Sequence, residues 1–198
     1  MIYRVYNYLK YRATLFFGQR MAISELKRSN CSVPKTTCFR GPCRIKVNGK
    51  IVIGDGFLCN SGPIFSLGNL PNSKIEVKEN ATLTIGKQVG ISNTTISCNN
   101  SITIDDYVNI GDGCLIMDSN YHSNDWKTRE NRQRDVENSK TAPVHIEDHV
   151  FIGASCIICK GVTIGARSIL AAGSVVVNSI PQDCIAGGNP ARVIKQLI

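Results

Sequence analysis

Histidine is scarce in this chain: His122, His145 and His149 are the only three among 198 residues, beside one tryptophan and three methionines. Any imidazole chemistry must run through one of those positions. The nine cysteines are an odd number, scattered from Cys31 to Cys184 without framework spacing. That pattern points away from a disulfide scaffold and towards a reducing cytoplasm. Cys156-x-x-Cys159 has no second CxxC and no histidine at ligand spacing, so no metal is expected there. Long apolar runs are missing too, since Lys or Arg interrupts each one before the ~18 residues of a membrane span. The first residues carry charge and tyrosine, unlike a signal peptide. Acidic residues number 15 against 23 basic ones, a net charge of +8, which asks for an anionic partner. No groove-binding motif or aromatic–basic module makes that partner a nucleic acid. A phosphate-bearing cofactor or an anionic membrane surface would serve.

What the chain does have is a period. Ile146, Ile152, Ile158, Ile164, Leu170 and Val176 stand at every sixth position, and compact residues (Val150, Cys156, Val162, Ser168, Ser174) follow four places after most of them. Neither a helix nor a simple strand repeats at six. A hexapeptide repeat is the signature of a parallel β-helix, each unit one short strand plus one corner. Three units make a triangular coil, so the spacing predicts Ile146 stacked on Ile164, Ile152 on Leu170, and Ile158 on Val176.

Residues 1–30 read as a basic amphipathic helix, with Leu9, Ala13, Phe16 and Phe17 on its apolar side and Arg12, Arg20 and several tyrosines between them. Such a helix either caps the open end of a solenoid or makes peripheral contact with an acidic membrane. From Cys31 to Pro71, Gly and Pro divide the chain into irregular early coils, with a surface loop expected near Ser66–Ser73. The repeat is legible from Val77, slips by about one residue around Asn99–Ser101, and resumes at Ile104, Ile110 and Ile116. The next member would be residue 122, which is His122, and regular spacing returns only at Ile146. A polar excursion of about two dozen residues, within about 118–143, therefore leaves one corner and returns to the same face. Loops of that length in a compact solenoid are functional or disordered. Gly187-Gly188-Asn189-Pro190 closes the last coil, and residues 191–198 form a short basic tail, either a strand or one helical turn. The domain plan is a helix over 1–30, an all-β solenoid over 31–190 and the tail.

Of the histidines, His149 falls on a corner and reads as solvated. His145 has no evident acidic neighbour in sequence. His122 stands at the root of the excursion, where a core aliphatic is otherwise due.

The segments Ile91-Ser92-Asn93-Thr94-Thr95-Ile96, Ile104-Asp105-Asp106-Tyr107-Val108-Asn109-Ile110-Gly111, Asp118-Ser119-Asn120-Tyr121-His122, Val150-Phe151-Ile152-Gly153-Ala154, Gly161-Val162-Thr163-Ile164-Gly165 and Ala186-Gly187-Gly188-Asn189-Pro190-Ala191-Arg192-Val193-Ile194 resemble the left-handed β-helix (hexapeptide-repeat) acyltransferases. The similarity spans roughly residues 75–198 and is closest to the maltose, galactoside and polysaccharide O-acetyltransferase branch. It implies the left-handed sense, since crossovers are ordinarily right-handed. It also implies a homotrimer with sites between subunits, acetyl-CoA as co-substrate, no metal, and transfer of acetyl to a sugar or polysaccharide-precursor hydroxyl. N-acetylation of an amino sugar, or xenobiotic acetylation, is the alternative reading.

On the same resemblance, His122 matches the general base. Asn93 matches a residue of the acceptor pocket, and Asp118 is placed to orient His122 or the loop. The Ala154 N–H would meet the thioester oxyanion, and Gly153 and Ala172 would narrow the wall beside the pantetheine arm. Arg192 and Lys195 would meet CoA phosphates. Relatives often carry Trp at Phe151 and a Thr-Lys pair at Val177-Asn178, so Val177 falls among the cofactor-binding positions while one expected phosphate contact is missing.

Overall fold

The computed structural model describes residues 2–67 and 72–197, with the side chains of residues 2–7 and 10 outside the described set. Gly68 to Pro71, in the surface loop expected near Ser66–Ser73, also lie outside it.

After the helix Ile2–Arg28 the chain winds through three sheets, of eight, six and five strands, visited in rotation. Every pairing within them is parallel except that between the last two strands, Cys184–Gly188 and Ala191–Gln196. The result is a three-sided prism, each sheet one face, each turn of chain one coil. The three stacks expected from the spacing are present in register: Ile146 beside Ile164, Ile152 beside Leu170 and Ile158 beside Val176. These side chains are fully or almost fully buried, as are Ile104, Ile116, Ile91 and Ile85 above and below them. Each such burial contributes about 2–3 kcal/mol, so the columns of inward aliphatics hold the coils together.

The early coils are more regular than their Gly and Pro content suggests. Arg44–Val47, Lys50–Ile53 and Leu58–Asn60 already pair in register with Lys74–Val77, Thr82–Ile85 and Gly90–Ser92. Their strands are three or four residues long, with two inward positions in the longer ones, such as Ile75 and Val77, whereas later strands shrink to two residues with one. The slip at Asn99–Ser101 falls between two four-residue strands, Thr95–Cys98 and Ser101–Ile104, in a coil where Ile85 and its partner Ile104 are 19 rather than 18 positions apart.

The helix lies across the first coil, but not on the face that its hydrophobic residues suggest. Gly18, Ala22 and Leu26 are buried against the coil, while Leu9, Phe16 and Phe17 are exposed. The physical reason is closeness: a Cβ on Gly18 would fall 2.4 Å from the Gly41 carbonyl carbon. Gln19 then clamps the coil, accepting from the Phe39 N–H and donating to the Thr37 carbonyl at 3.1 Å. The amphipathic reading of residues 2–7 and of Lys10 lies outside the described side chains.

The tail is a strand, Ala191–Gln196, antiparallel to Cys184–Gly188 at the end of the eight-stranded face.

Candidate active site

Two edges of the prism carry the residues singled out by the sequence. The edge between the six- and five-stranded faces extrudes the long excursion. Ile104 pairs with Ile146 across 42 positions, one 18-residue coil plus a 24-residue detour, so the detour leaves the stack undisturbed. Its root is pinned by Asp118, which is fully buried. The Asp118 carboxylate accepts from the backbone N–H groups of Asn99, at 2.7 Å, and Asn100, at 2.8 Å. Its own carbonyl accepts from Ala142 N–H at 3.0 Å. Of the two roles left open for Asp118, the structure gives it the loop root. Its carboxylate is committed to the preceding coil, and another residue holds the histidine.

That residue is Asp135. The excursion is not irregular: it contains two short helices, Trp126–Arg129 capped by Asp125 and Arg132–Glu137 capped by Asn131. The second helix delivers Asp135 to His122, whose Nδ1 lies 2.6 Å from Oδ2, while Oδ1 accepts from Ser123 N–H at 2.7 Å. The hydrogen bond from His122, and then that from Ser123, hold the Asp135 carboxyl below the usual carboxylate range. An ionised carboxylate only accepts, so the ring proton is placed on Nδ1 and the lone pair on Nε2. Nε2 has no hydrogen-bond partner among the described residues, and the His122 side chain is 69% exposed. The arrangement is an imidazole whose orientation is set from behind and whose Nε2 nitrogen is left to solvent. Beside it, Tyr121 reaches back through its hydroxyl to Ser97.

The second edge lies between the eight- and six-stranded faces. Here Asn93, Asp112, Gly153, Ala154 and Ala172 fall at corresponding corners of successive coils. Asn93 has a φ of +40°, is almost wholly buried, and donates through Nδ2 to Asp112 Oδ1 at 2.8 Å. Its Oδ1 accepts from Gly62 N–H at 2.7 Å, and Asp112 Oδ2 accepts from Leu67 N–H at 2.9 Å. Asn93 and Asp112 therefore hold the first loop, residues 62–67, against the prism. Gly153 has a reason within the coil itself: a Cβ there would lie 2.6 Å from Ala172 N and 2.8 Å from Leu170 O. Ala172 is the neighbour that this closeness brings in. The Ala154 N–H makes no hydrogen bond among the described residues.

These two clusters do not meet within one chain. The six-stranded face separates them, and a strand-and-corner of about five residues at ~3.3 Å each sets the edges roughly 15 Å apart. Among the described residues no hydrogen bond or ion pair joins residues 119–141 to the Asn93–Ala154 edge. Val177, 47% exposed, stands at the end of that separating face. Arg192 and Lys195 are exposed on the terminal hairpin, Arg192 donating to its own neighbour's carbonyl, Ala191 O, at 2.8 Å.

Two further pairs escaped the sequence reading. His145 does have an acidic partner: its Nε2 lies 2.6 Å from Asp105 Oδ2, because His145 stacks in register on Thr103 one coil below. His149 is exposed at its corner and lies flat on Tyr107, the ring centroids 4.9 Å apart. Among the described residues no group of three or more His, Cys, Asp or Glu side chains is arranged to hold a metal ion.

The comparisons with known proteins agree with this architecture. Residues 143–178 match the hexapeptide repeat of succinyl-transferase. A hexapeptide-repeat-containing acetyltransferase of Vibrio cholerae O1 biovar eltor, solved with acetyl coenzyme A, is 31% identical, with 79% of this chain and 71% of that one covered and a TM-score of 0.51. The chain belongs to the hexapeptide-repeat acetyltransferase family, and its prism is the left-handed parallel β-helix. A mutant of AntD, an N-acyltransferase from Bacillus cereus solved with dTDP-4-amino-4,6-dideoxyglucose and coenzyme A, is 25% identical, with 87% and 88% covered and a TM-score of 0.69. A 2,3,4,5-tetrahydropyridine-2,6-dicarboxylate N-acetyltransferase of Staphylococcus aureus is 44% identical over 61 residues. That match spans 31% of this chain and only 26% of the curated relative's length.

Proposed function

We propose that this protein transfers an acetyl group from acetyl-CoA to a hydroxyl of a sugar or saccharide precursor, by direct transfer in a ternary complex. The observation that carries this reading is the His122–Asp135 pair, with Nε2 directed away from its carboxylate. A hydroxyl is a weak nucleophile until its proton leaves, and a neutral imidazole accepts that proton near pH 7. The oxygen attacks the thioester carbonyl, His122 takes the hydroxyl proton, and a tetrahedral oxyanion forms. The Ala154 N–H is the donor proposed for that oxyanion. Collapse breaks the carbon–sulfur bond, and the imidazolium returns its proton to the departing CoA thiolate. Asp135 stays ionised throughout and is a positioning residue. Gly153, Ala172 and Val177 would line the pantetheine path, and Arg192 and Lys195 would meet the CoA phosphates.

The separation of the two edges favours a site shared between copies, with His122 of one subunit facing the Asn93–Ala154 edge of its neighbour in a homotrimer. Asn93, already spent on Gly62 and Asp112, then shapes the acceptor pocket by holding the first loop rather than by touching the acceptor.

A second reading, N-acetylation of an amino sugar or its nucleotide conjugate, draws support from the aminosugar nucleotide bound in the AntD mutant. The chemistry at His122 would be the same, since an ammonium must also lose a proton before it attacks. Turnover with acetyl-CoA against matched acceptors differing only in hydroxyl or amine separates the two. Faster acetylation of the amine member would replace the first reading with the second, and no acetylation of any member would sink both. Light scattering should give three times the 21.6 kDa chain mass, and an active monomer would refute the shared site.

A further inference from the structure

The N-terminal helix turns to solvent a face that the coil leaves unused. With Gly18, Ala22 and Leu26 against the prism, Leu9, Phe16, Phe17 and Met21 project on the other side and are 60%, 55%, 61% and 67% exposed. Interleaved with them are Arg12, Arg20 and Lys27, all exposed. The Arg20 guanidinium lies 5.1 Å over the Phe16 ring. Residues 2–28 contain six Lys or Arg and a single acid, Glu25, which is paired with Arg28 at 2.6 Å. No helix among the described residues is long and apolar enough to cross a membrane.

We propose that this face is a docking surface for an anionic phospholipid bilayer. Aromatic and aliphatic side chains flanked by cations of one sign are what a helix lying in the headgroup plane presents. The apolar rings enter the acyl boundary, while the long Arg and Lys stems keep their charges among the phosphates. A second copy of the same face is a poorer partner, because a two-fold contact would bring the cationic set of Arg12, Arg20 and Lys27 against an identical set. Docking on the coil also means that the helix is formed before it meets lipid, so the cost of ordering it is already met. The surface is independent of the acetyl-transfer reading.

Flotation of the full chain with phosphatidylcholine–phosphatidylglycerol vesicles tests the proposal, with pure phosphatidylcholine vesicles as the second arm. Wild type should float with the anionic vesicles at low salt and be released as salt rises. Arg12→Glu with Arg20→Glu should lower the partition coefficient by about tenfold or more, since two cations near the phosphates become anions. Phe16→Ser with Phe17→Ser should lower it by at least about tenfold through lost apolar burial. Both double variants change solvent-facing residues, so their melting temperatures should stay close to wild type. Binding that is equal on the two vesicle types, binding unmoved by Phe16→Ser with Phe17→Ser, or no flotation of wild type would each overturn the proposal. So would a wild-type oligomer that dissociates in the phenylalanine variant without any binding to lipid.

Discussion

The two edges of the prism are built from the same repeat and do opposite things with their polar residues. On the Asn93 edge, carboxamide, carboxylate and loop backbone satisfy one another and are buried. On the Asp118 edge the buried carboxylate goes to the root, and beyond it His122 is held out into solvent by Asp135. The first edge commits its polar side chains to shape, and the second leaves one side-chain nitrogen free among the described residues. A mutation should therefore act on rate at one edge and on stability at the other.

The largest effect should be at His122. His122→Ala should lower kcat by about 10²–10⁴ while leaving acetyl-CoA affinity and melting temperature near wild type. Stopped assays and equilibrium binding check this, and a lowered melting temperature with intact turnover would assign His122 to structure instead. At the other edge, Gly153→Ala places a methyl 2.6 Å from the Ala172 nitrogen. That backbone cannot move without disturbing the stack, so a loss of about 2–3 kcal/mol is expected in denaturant unfolding. A neutral result would mean that the coils are softer than their register implies.

Asp135→Asn sharpens the contrast further. It should lower kcat about tenfold to a hundredfold, roughly 1.4–2.7 kcal/mol, with acetyl-CoA affinity unchanged and activity partly rescued by Asp135→Glu. Because the folded-state carboxyl titrates below its ordinary value of 3.8, its contribution to loop order is fully present above that value. It is lost as pH falls further, through the depressed folded value. The protection of residues 119–141 against hydrogen exchange, corrected for the intrinsic rate at each pH, should therefore fall in acid below about pH 4 in wild type and already be low in Asp135→Asn. An unchanged pH profile would deny Asp135 the positioning role. The smallest effect is expected on the hairpin. Arg192→Ala with Lys195→Ala should weaken CoA more than dephospho-CoA, by about tenfold for lost charge-assisted contacts, and equal losses would make the hairpin only a cap.

The stack was readable because its period is a property of the chain itself: Ile146, Ile152 and Ile158 name their neighbours by counting. Asp135 was not, since it reaches His122 through a capped helix inside a polar loop, where neither residue keeps a spacing. The Asp105–His145 pair was within reach. The arithmetic that returned the chain to its face at Ile146 also lays His145 beside Thr103, next to Asp105. The helix misled for a different reason. Phe16 and Phe17 carry the hydrophobicity, but contact is won by Gly18, whose missing side chain lets backbone approach backbone.

The detour at Asp118 has one more consequence. A coil that stays in register across 42 positions does not register how long the chain spent away. Closure entropy grows slowly, by about 0.6 kcal/mol for each doubling of loop length, so the excursion can lengthen, shorten or be exchanged for another at almost no expense to the prism. Its attachments to the prism gather near its ends, through Asp118, the bridge from Ser119 to Thr141 and the Tyr121 hydroxyl on Ser97. The prism is in this sense a socket, and the part that carries His122 is free to diversify while the part that folds stays the same.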